Sequence, residues 1–500
     1  MEARNPRRWW ILVVLCLSSL VLLVDGMALT VAVPRMAEDI GATAQDIQWI
    51  LDSYILVFAG LLLTSGSLGD RFGRRRVMLI GLLVFGAASL AGTFATSPGE
   101  VIAVRVAMGI GGALVMPSTL SILITVFDED ERRKAMAAWS SVAMLGLVGS
   151  PVLAGLLLVH FSWHSIFVIN VPVVVLALAA GVTLMPESRA PWRRPDPLGA
   201  LLSAVGMIAL VWWIIGIPQH GFVAGQSAVS LAVAGLALSG FVIWEQVTPA
   251  PMVPLALFRH RNFSGGSLSL ALVEIGNGGL LLVLTQYLQF VLGYSPVRAG
   301  LAFVPLAVGA LIGNTAGVKL GAKLGNRFLV LGGMLVMAAA FGLLATVSAT
   351  SGFTVPAAGL GVLGLGAGLA MPAAVSALMS AIPHEQAGVG SALNDTIGQA
   401  GSALGVAILG SLLASGFARH MPASAPAQAR QSIGGALAVA HGNADLVHAA
   451  RQAFTTSMSG TFMVSAVGVL AAAIVGALIL GPTKTETADA AAAQEPNLVG

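Results

Sequence analysis

The stretch from Gln48 to Arg76 reads QWILDSYILVFAGLLLTSGSLGDRFGRRR and sets the frame for the whole chain. Its apolar part, Ile47 to Leu68, carries a single acid, Asp52. A helix of about 20 apolar residues spans the hydrocarbon core of a bilayer. A turn crowded with arginines follows directly, and arginine-rich loops lie on the cytoplasmic side of membranes. The stretch therefore predicts a transmembrane helix that ends at a cytoplasmic turn.

The composition agrees with a chain that is embedded in a membrane. Hydrophobic residues make up 57% of the chain and charged residues only 9%, whereas about a quarter of a soluble domain is charged. Inside lipid every polar backbone group needs an internal partner, which leaves helices or a closed barrel. Because the apolar runs are long and contain glycine and proline, we predict an all-α polytopic membrane protein.

Cysteine usage and charge distribution exclude several functions. Cys16 is the only cysteine, so no intrachain disulfide can form and no thiolate metal site is expected. The basic residues are spread over short loops rather than gathered in one patch, so we predict no nucleic-acid partner. The sequence has no G-x-x-x-x-G-K-[ST] pattern, so ATP is not the expected energy source. We predict no enzyme activity, no metal and no cofactor.

Fourteen apolar runs are candidates for membrane-spanning helices. Arginine and lysine concentrate in alternate loops, which predicts that both termini are cytoplasmic. The first run has no small-residue cleavage site, so we expect a retained helix rather than a signal peptide. Arginine exceeds lysine and alanine is abundant, which is typical of a GC-rich bacterial genome, and we expect a multi-pass protein of the bacterial cytoplasmic membrane. The runs are 10–33, 47–68, 77–96, 100–125, 136–159, 164–185, 198–217, 226–246, 264–291, 297–319, 328–349, 353–380, 388–413 and 457–481.

The loops divide these helices into two halves. A charged, proline-rich loop, Glu187 to Pro197, closes the first six helices, and the loop at 248–262 opens the last six. Two helices between these loops belong to neither half. We predict an N-terminal six-helix bundle at 1–190, two inserted helices at 191–250, a C-terminal six-helix bundle at 251–481 and a disordered cytoplasmic tail at 482–500.

The C-terminal half contains one long extracellular segment, 414–455. Pro426 to His441 and Asp445 to Phe454 each read as a short helix, separated by Gly442 and Asn443. Polar and apolar residues follow an amphipathic spacing in the first of these stretches. We predict a helical hairpin over the extracellular mouth; a disordered alanine-rich loop is the alternative.

Five ionisable residues lie inside apolar runs. A charge at the centre of a membrane helix costs at least ~2.5–3.5 kcal/mol, so such residues are functional by default. The alternative is that each makes only an interhelical hydrogen bond. Glu100 and Glu245 lie at helix ends, where we expect them to be solvated. The five residues are Asp25, Asp52, Arg105, Glu274 and Asp395.

The turn GSLGDRFGRRR, residues 66–76, resembles the signature loop between the second and third helices of the major facilitator superfamily. A plain basic stop-transfer loop would need neither the acid nor the ordered glycines. The resemblance implies two six-helix bundles that rock about a central cavity, here with two inserted helices. It also implies a conformational latch whose acid, Asp70, docks near Ala387–Gly390. The latch residues are Gly66, Asp70, Arg71, Gly73, Arg74 and Arg75.

Further motifs narrow the resemblance to the fourteen-helix drug:proton antiporters. LVDGMALTVAVP at 23–34 is similar to their first helix, and QWILDSY at 48–54 to the second helix of the branch that exports quaternary ammonium compounds and dyes. RVAMGIGG at 105–112 resembles their fourth-helix motif, whose arginine is linked to proton transfer, and GSALND at 390–395 their thirteenth helix. GLVGSPVLAG resembles the fifth-helix antiport motif, with Ser150 and Ala154 where glycines are usual. The motif residues are Gly146, Pro151 and Gly155.

Together these observations predict proton-driven efflux of amphipathic, cationic drugs, dyes or antiseptics. A carboxyl in a cavity can carry a proton across, because burial favours its protonated form while a nearby arginine or cationic substrate favours its ionised form. We predict Asp25 as the main proton carrier, Asp52 as a second acid in the same cavity and Arg105 as the counter-charge of one of the two. The predicted substrate-binding residues are Asp52, Glu274, Asp395, Trp49 and Tyr54.

Other functions fit the same sequence. The first is a dedicated exporter of one antibiotic or metabolite. The second is a proton-coupled importer, which the fifth-helix motif disfavours. The third, a membrane sensor, leaves four acids in apolar runs unexplained. In every case of transport, the expected partners are a small-molecule substrate, protons and the lipid bilayer, and we expect a monomer.

Overall fold

The computed structural model describes residues 6–42, 44–188, 196–220, 225–249, 251–253, 255–383, 386–440 and 443–480. In these residues the chain forms sixteen α-helices and no β-strand. The helices are α1 (Arg8–Ile40), α2 (Ala44–Phe72), α3 (Arg74–Gly92), α4 (Pro98–Val126), α5 (Glu129–His160), α6 (Ser165–Val168), α7 (Asn170–Leu184), α8 (Pro197–His220), α9 (Gln226–Val247), α10 (Arg261–Gln286), α11 (Pro296–Leu301), α12 (Val304–Leu344), α13 (Thr354–Ser380), α14 (Ala387–His420), α15 (Ile433–Val439) and α16 (Ala444–Ile479).

The described helices account for the predicted membrane crossings. Thirteen helical segments in the described residues are long and apolar enough to span a bilayer, and α5, with 32 residues, is long enough to be the fourteenth. The two crossings predicted at 297–319 and 328–349 both fall largely within α12, whose helical backbone is interrupted at Gly325. The backbone φ of Gly325 is 76°, a left-handed value that glycine adopts readily. The predicted all-α membrane fold is therefore confirmed.

The helices form two packed groups that meet along α14 and α5. In the first half, α2 and α3 pack against α4, and α1 packs against α5. In the second half, α10 packs against α14, and α12 packs against both α13 and α16. The groups meet where α2 and α4 contact α14, and where α5 contacts α11 and α12. These two contact zones are the places where a relative movement of the halves would act.

Glycine allows helices to approach closely in the second half. A Cβ atom added to Gly333 would lie 2.6 Å from the carbonyl oxygen of Gly366, and one added to Gly366 would lie 2.6 Å from the carbonyl oxygen of Gly333. No real side chain tolerates that distance, so α12 and α13 pack backbone to backbone. Small residues at helix interfaces serve this purpose in membranes, where lipid gives no hydrophobic driving force between helices.

The two inserted helices, α8 and α9, contact both halves through α8. On the side of α2, Trp49 and Trp212 pack with ring centroids 4.8 Å apart, and Gly60 leaves room for Ile208. On the side of α14, Ile214 packs against Ala407. The helix α8 therefore bridges the seam between the halves. The predicted bundle limits fall partly at 191–195 and 482–500, outside the described residues.

The extracellular segment differs in part from the predicted hairpin. Its first arm is present as a 3-10 turn at Ala427–Arg430 and the helix α15. The second predicted arm, Asp445 to Phe454, is wrong as a separate helix, because it forms the first turns of α16. The Asn443 side chain caps α16 by accepting hydrogen bonds from the backbone N–H groups of Asp445 and Leu446. This cap starts a single helix of 36 residues.

The two glutamates that we expected to be solvated differ from each other. Glu100 is exposed and completes a capping box with Ser97 at the start of α4, as expected. Glu245 is only 4% exposed, so that expectation is wrong. Its carboxylate accepts a hydrogen bond from the backbone N–H of Val253, which draws it under the loop that follows α9.

Amide hydrogen exchange tests the packing of the extracellular segment. We expect slow exchange across α15, because Ser432 caps the helix and Ile433 is 1% exposed. Replacing Ile433 by alanine should accelerate exchange in α15, since burial of such a side chain is worth about 2–5 kcal/mol. The control is Gln431→Ala, at an exposed position. Rapid exchange along the whole segment in the unmodified protein would contradict this packing.

Candidate functional site

The centre of the first half contains a buried ion pair. Asp25 of α1 and Arg105 of α4 are 1% and 2% exposed. Arg105 Nη1 donates a hydrogen bond to Asp25 Oδ2 at 2.5 Å. The sequence predicted Arg105 as the counter-charge of an acid in this region, and that contact is confirmed. Each charge compensates the other in a place that water does not reach.

Arg105 also contacts α2. Its Nε donates to the backbone carbonyl of Ile50 at 3.3 Å. Its guanidinium carbon lies 4.3 Å from the centre of the Tyr54 ring, a cation–π distance. One arginine therefore ties together α1, α2 and α4. Because the face of Tyr54 is occupied by Arg105, a substrate could reach this ring only after Arg105 moved; its predicted role in substrate binding stays a prediction.

The second oxygen of Asp25 has a partner that sequence reasoning missed. Asn170, at the start of α7 and 1% exposed, donates from Nδ2 to Asp25 Oδ1 at 3.0 Å. The same amide contacts Ser89 Oγ at 3.0 Å, and Ser89 donates to the carbonyl of Phe167 at 2.9 Å. The available signal was an asparagine within an apolar run, which we had not singled out.

This arrangement can respond to a proton. A buried ion pair is balanced only while both charges remain, and removal of one partner typically costs about 3–5 kcal/mol. Protonation of Asp25 removes one charge, leaving Arg105 uncompensated unless it moves to another partner. The pair can therefore convert the arrival of a proton into a change of contacts among three helices.

Asp52 lies between two contacts of Arg105 along the chain. Ile50 and Tyr54, which both contact Arg105, flank it at two residues on either side. Its side chain is partly buried. Trp49, one turn earlier, is 36% exposed and packs against Trp212 of the inserted helix α8. Residues three apart share a helix face, so Asp52 lies with Trp49 on the side of α2 that faces α8, whereas Ile50 and Tyr54 face Arg105.

The two acids of the second half lie along the seam between α10 and α14. Asp395 is 8% exposed; its Oδ1 accepts from Asn394, and its Oδ2 has no hydrogen-bond partner in the described residues. Glu274 is partly buried and lies against Gly401, where an added Cβ would be 3.1 Å from the Glu274 Cβ. In the described part of the chain no lysine or arginine pairs with either acid. The seam therefore holds two acids without a basic partner.

Asp70, at the end of α2, contacts the other half of the protein. Its two oxygens accept hydrogen bonds from the backbone N–H groups of Gly388 and Val389, at 2.9 and 3.1 Å. These groups form the free N-terminus of α14, where the helix dipole favours a negative charge. Asp70 Oδ1 also accepts from Arg74 Nη2 at 2.7 Å and is fully buried. The predicted docking of Asp70 near Ala387–Gly390 is confirmed.

The glycines of this loop permit its close contacts. A Cβ on Gly66 would lie 2.5 Å from that of Ala392, so α2 and α14 meet directly here. Gly73 has φ 111° and lies against the Glu187 carboxylate. Glu187 accepts from the backbone N–H of Arg75 at 3.2 Å.

Among the arginines, only Arg74 pairs with Asp70 in the described contacts. The Arg75 guanidinium donates to the carbonyl of Val182, and Arg71 lies over the Phe72 ring at 5.1 Å. The sequence did not single out Arg74 as the partner of the docking acid, and it assigned no role to Glu187.

The glycines of the fifth-helix motif lie at two different interfaces. Gly146 faces α1, where an added Cβ would be 3.1 Å from the Cβ of Leu23, two residues before Asp25. Gly155 faces the second half, where it directly contacts the side chain of Val297. The side chain of Pro151 lies outside the described part. A larger residue at Gly146 would press on the segment that holds Asp25.

A fold of two helical groups with inserted helices, a buried ion pair in one group and a charged contact between the groups defines a multi-pass membrane transporter. The chain belongs to the Major Facilitator Superfamily, whose family model matches residues 15–406.

Among known proteins, the chain is 35% identical over 488 residues to the multidrug efflux pump LfrA of Mycolicibacterium smegmatis, covering 94% of this chain and 96% of LfrA. It is 35% identical to the methyl viologen resistance protein SmvA of Salmonella typhimurium, with 91% and 94% covered. It is 34% identical to the tetracenomycin C resistance and export protein of Streptomyces glaucescens, with 82% and 76% covered. The human organic anion transporter MFSD10 shares the fold, with a TM-score of 0.61 at 16% identity over 93% of this chain and 100% of that one.

Replacement of Asp70 by asparagine tests the contact between the halves. The charge at the α14 N-terminus is worth about 0.3–1 kcal/mol, and Arg74 would lose its buried counter-charge. We therefore expect the transport rate to fall more than substrate affinity does, measured as turnover in proteoliposomes and as equilibrium binding. The control is Arg76→Gln, because the Arg76 side chain is 67% exposed. Unchanged turnover in Asp70→Asn would show that the contact does not limit the cycle.

Proposed function

We propose that this transporter exports amphipathic, cationic drugs in exchange for protons, with Asp25 as the proton carrier. Drug efflux is supported by relatives that are named as multidrug efflux or drug resistance proteins. Proton coupling is supported by one observation above all, the buried Asp25–Arg105 pair. It is a titratable carboxyl whose charge decides how three helices are held together. Membership in a family of transporters also accounts for the chain without any enzyme activity.

The coupling step follows from the contacts of Asp25. With Asp25 ionised, Arg105 holds α4 against α1 and donates to the carbonyl of Ile50 on α2. A proton on Asp25 removes the attraction and frees Arg105. Asn170 keeps its bond to the neutral carboxyl, since Asp25 Oδ1 can still accept. The helix α2 then loses its hydrogen bond to Arg105, while α7 keeps its contact with α1.

The helix α2 also links the ion pair to the contact between the halves, because it bears both Ile50 and Asp70. With Asp25 ionised, Asp70 holds the far end of α2 against α14, so the halves are joined on that side. Release of Arg105 loosens α2 and so weakens the Asp70 contact, which lets the halves part on the side of Asp70. Loss of the proton there restores the pair and the joined state. The drug leaves and the proton enters through the opposite side.

Acidic residues supply the attraction for cationic substrates. Asp52 lies on the face of α2 that it shares with Trp49. Glu274 and Asp395 lie on the seam between α10 and α14, where neither of these two has a basic partner in the described residues. A cation bound among them would reduce the cost of keeping these carboxyls ionised in an apolar surround. It would also compete with the proton, so drug and proton would bind in alternation. Trp49 and Tyr54 would add aromatic surface once Arg105 has moved.

The remaining expectations about the whole protein are also part of this proposal. We infer a bacterial cytoplasmic membrane with both termini inside, a monomeric transporter and no nucleic-acid partner. We further infer that residues 1–190 and 251–481 act as the two moving bundles, with 191–250 as the inserted pair and 482–500 as a tail. The helix α8 contacts α2 of one bundle and α14 of the other, which supports our inference that the inserted pair belongs to neither bundle.

Two substitutions separate the roles of Asp25 and Asp52. Asp25→Asn should abolish proton-driven efflux of every substrate, because asparagine cannot cycle a proton. Asp52→Asn should spare some substrates and lose others, the more highly charged first. The assay is uptake of a fluorescent lipophilic cation into everted vesicles, where export appears as uptake, with and without an uncoupler. The matched control is Asp39→Asn, the same change at an exposed position of α1. Uphill export with normal proton dependence in Asp25→Asn would refute the assignment.

A dedicated exporter of one antibiotic is the second candidate function, favoured by the relative that is named for export of tetracenomycin C. A competition panel of chemically unrelated dyes and cations distinguishes the two. A multidrug pump should be inhibited by most of the panel, whereas a dedicated exporter should ignore it. The direction of movement under an imposed pH gradient distinguishes both from an importer.

A further inference from the structure

The base of the inserted hairpin holds two carboxyl groups that the transport site does not use. Asp196 caps the start of α8 and Glu245 lies in the last turn of α9; they are 7% and 4% exposed. Asp196 Oδ1 accepts from the Gly199 N–H and from the Trp244 indole, both at 2.8 Å. Glu245 Oε2 accepts from the Val253 N–H at 3.0 Å. The other oxygens, Asp196 Oδ2 and Glu245 Oε1, are buried and have no partner in the described residues.

These two unpartnered oxygens point at the same place. A Cβ added to Gly199 would lie 2.9 Å from Glu245 Oε1 and would be closer still to Asp196 Oδ2. Both oxygens therefore lie within 3 Å of one point, so the two carboxyls face each other at close range. Two carboxylates so close together and away from water repel each other strongly. One proton between them removes the repulsion and makes an O–H···O⁻ bond, which is short and strong.

We propose that Asp196 and Glu245 bind one shared proton, and that this proton fixes the base of the inserted hairpin. The site joins the start of α8 to the end of α9, and through Val253 to the chain that enters the second half. It is separate from the Asp25–Arg105 pair and does not depend on the proposed efflux function.

The surroundings favour a proton over a metal ion. The nearest polar groups are N–H donors of Gly199, Trp244 and Val253, which would repel a cation. A calcium or magnesium ion takes six or more oxygen ligands, and only two free oxygens are present here.

The charged groups on neighbouring elements do not reach the pair. Apart from each other, neither Asp196 nor Glu245 contacts an ionisable side chain in the described residues. No described base therefore replaces the shared proton. The ionisable residues on the elements packed against α8 and α9 are Asp46, Asp52, Tyr54, Asp70 and Arg71 on α2, Asp395, Arg419 and His420 on α14, Arg259 on the turn at 255–259 and His220 on α8 itself.

The position of the site gives the proton a consequence for transport. The helix α8 contacts both α2 and α14, the helices that Asp70 joins. With the shared proton, Asp196 and Glu245 keep α8 and α9 together, and α8 packs firmly against α2 and α14. Without the proton, the two carboxylates repel each other and this packing is weaker. Proton concentration at this end of the hairpin would therefore set how readily the halves separate.

The melting temperature as a function of pH tests the shared proton. The folded pair binds one proton that separate, solvated carboxyls release at neutral pH, so the folded state holds more protons and its stability falls as the pH rises. For the unmodified transporter in detergent, we expect the melting temperature to fall by roughly 2–4 °C from this pair between mildly acidic and mildly alkaline pH. In Asp196→Asn and in Glu245→Gln, an amide N–H donates to the remaining carboxylate without a shared proton. In both variants, the fall in melting temperature that this pair causes with rising pH should therefore be absent.

A control and three contrary outcomes complete the test. Asp445→Asn removes an exposed acid from α16 and should keep the pH dependence of the unmodified protein. The proposal is overturned if either amide variant keeps the full pH dependence, or if both melt well below the unmodified protein at every pH. It is also overturned if magnesium or calcium raises the melting temperature of the unmodified protein but not of the variants. No drug is used, so failure of the proposed efflux function would leave this result intact.

Discussion

A carboxylate inside an apolar helix bundle needs a compensating charge, and Asp25 has one in Arg105. The cost of leaving either charge alone, about 3–5 kcal/mol, is a large fraction of the net stability of a protein, about 5–15 kcal/mol, so the pair constrains the helices around it. The helices α1 and α4 must meet at these two residues, α2 must offer the Ile50 carbonyl, and α7 must begin at Asn170. The site is thus a polar junction in an otherwise apolar bundle. A proton is the simplest agent that can undo it.

The helix α2 connects this junction to the contact between the halves. Ile50 and Asp70 lie 20 residues apart on one helix, a rise of about 30 Å. At one end α2 is held by Arg105, and at the other by the N-terminus of α14. A change at the ion pair can therefore act on the interface through a single stiff element. The inserted helix α8 packs along the same helix and also contacts α14, so it lies beside the path of this movement.

The sequence predicted the residues whose chemistry is unusual for their surroundings. Asp25 and Arg105 stood out because charges are rare in apolar runs, and Asp70 stood out through its motif. Asn170 and Ser89 did not, because neutral polar residues in membrane helices are common and their partners depend on packing. Glu245 was assigned to water because it lies at a helix end, and only the fold of the hairpin brings it under Val253 and beside Asp196. The start of α16 was predicted within one residue, at Asp445, but its continuity with the predicted crossing at 457–481 was missed because Asp445 to Phe454 was assigned to the extracellular segment.

The central claim is that the charge state of Asp25 controls whether the halves are joined at Asp70. The distance between spin labels at Arg76→Cys and Ser380→Cys, both exposed positions, measures this directly in a Cys16→Ser background. With Asp25 ionised, the account predicts a short distance; at acidic pH, or in Asp25→Asn at any pH, the distribution should shift to longer distances. If Asp25→Asn keeps the short distance of the unmodified protein at neutral pH, the ion pair does not control the contact between the halves and the account is contradicted.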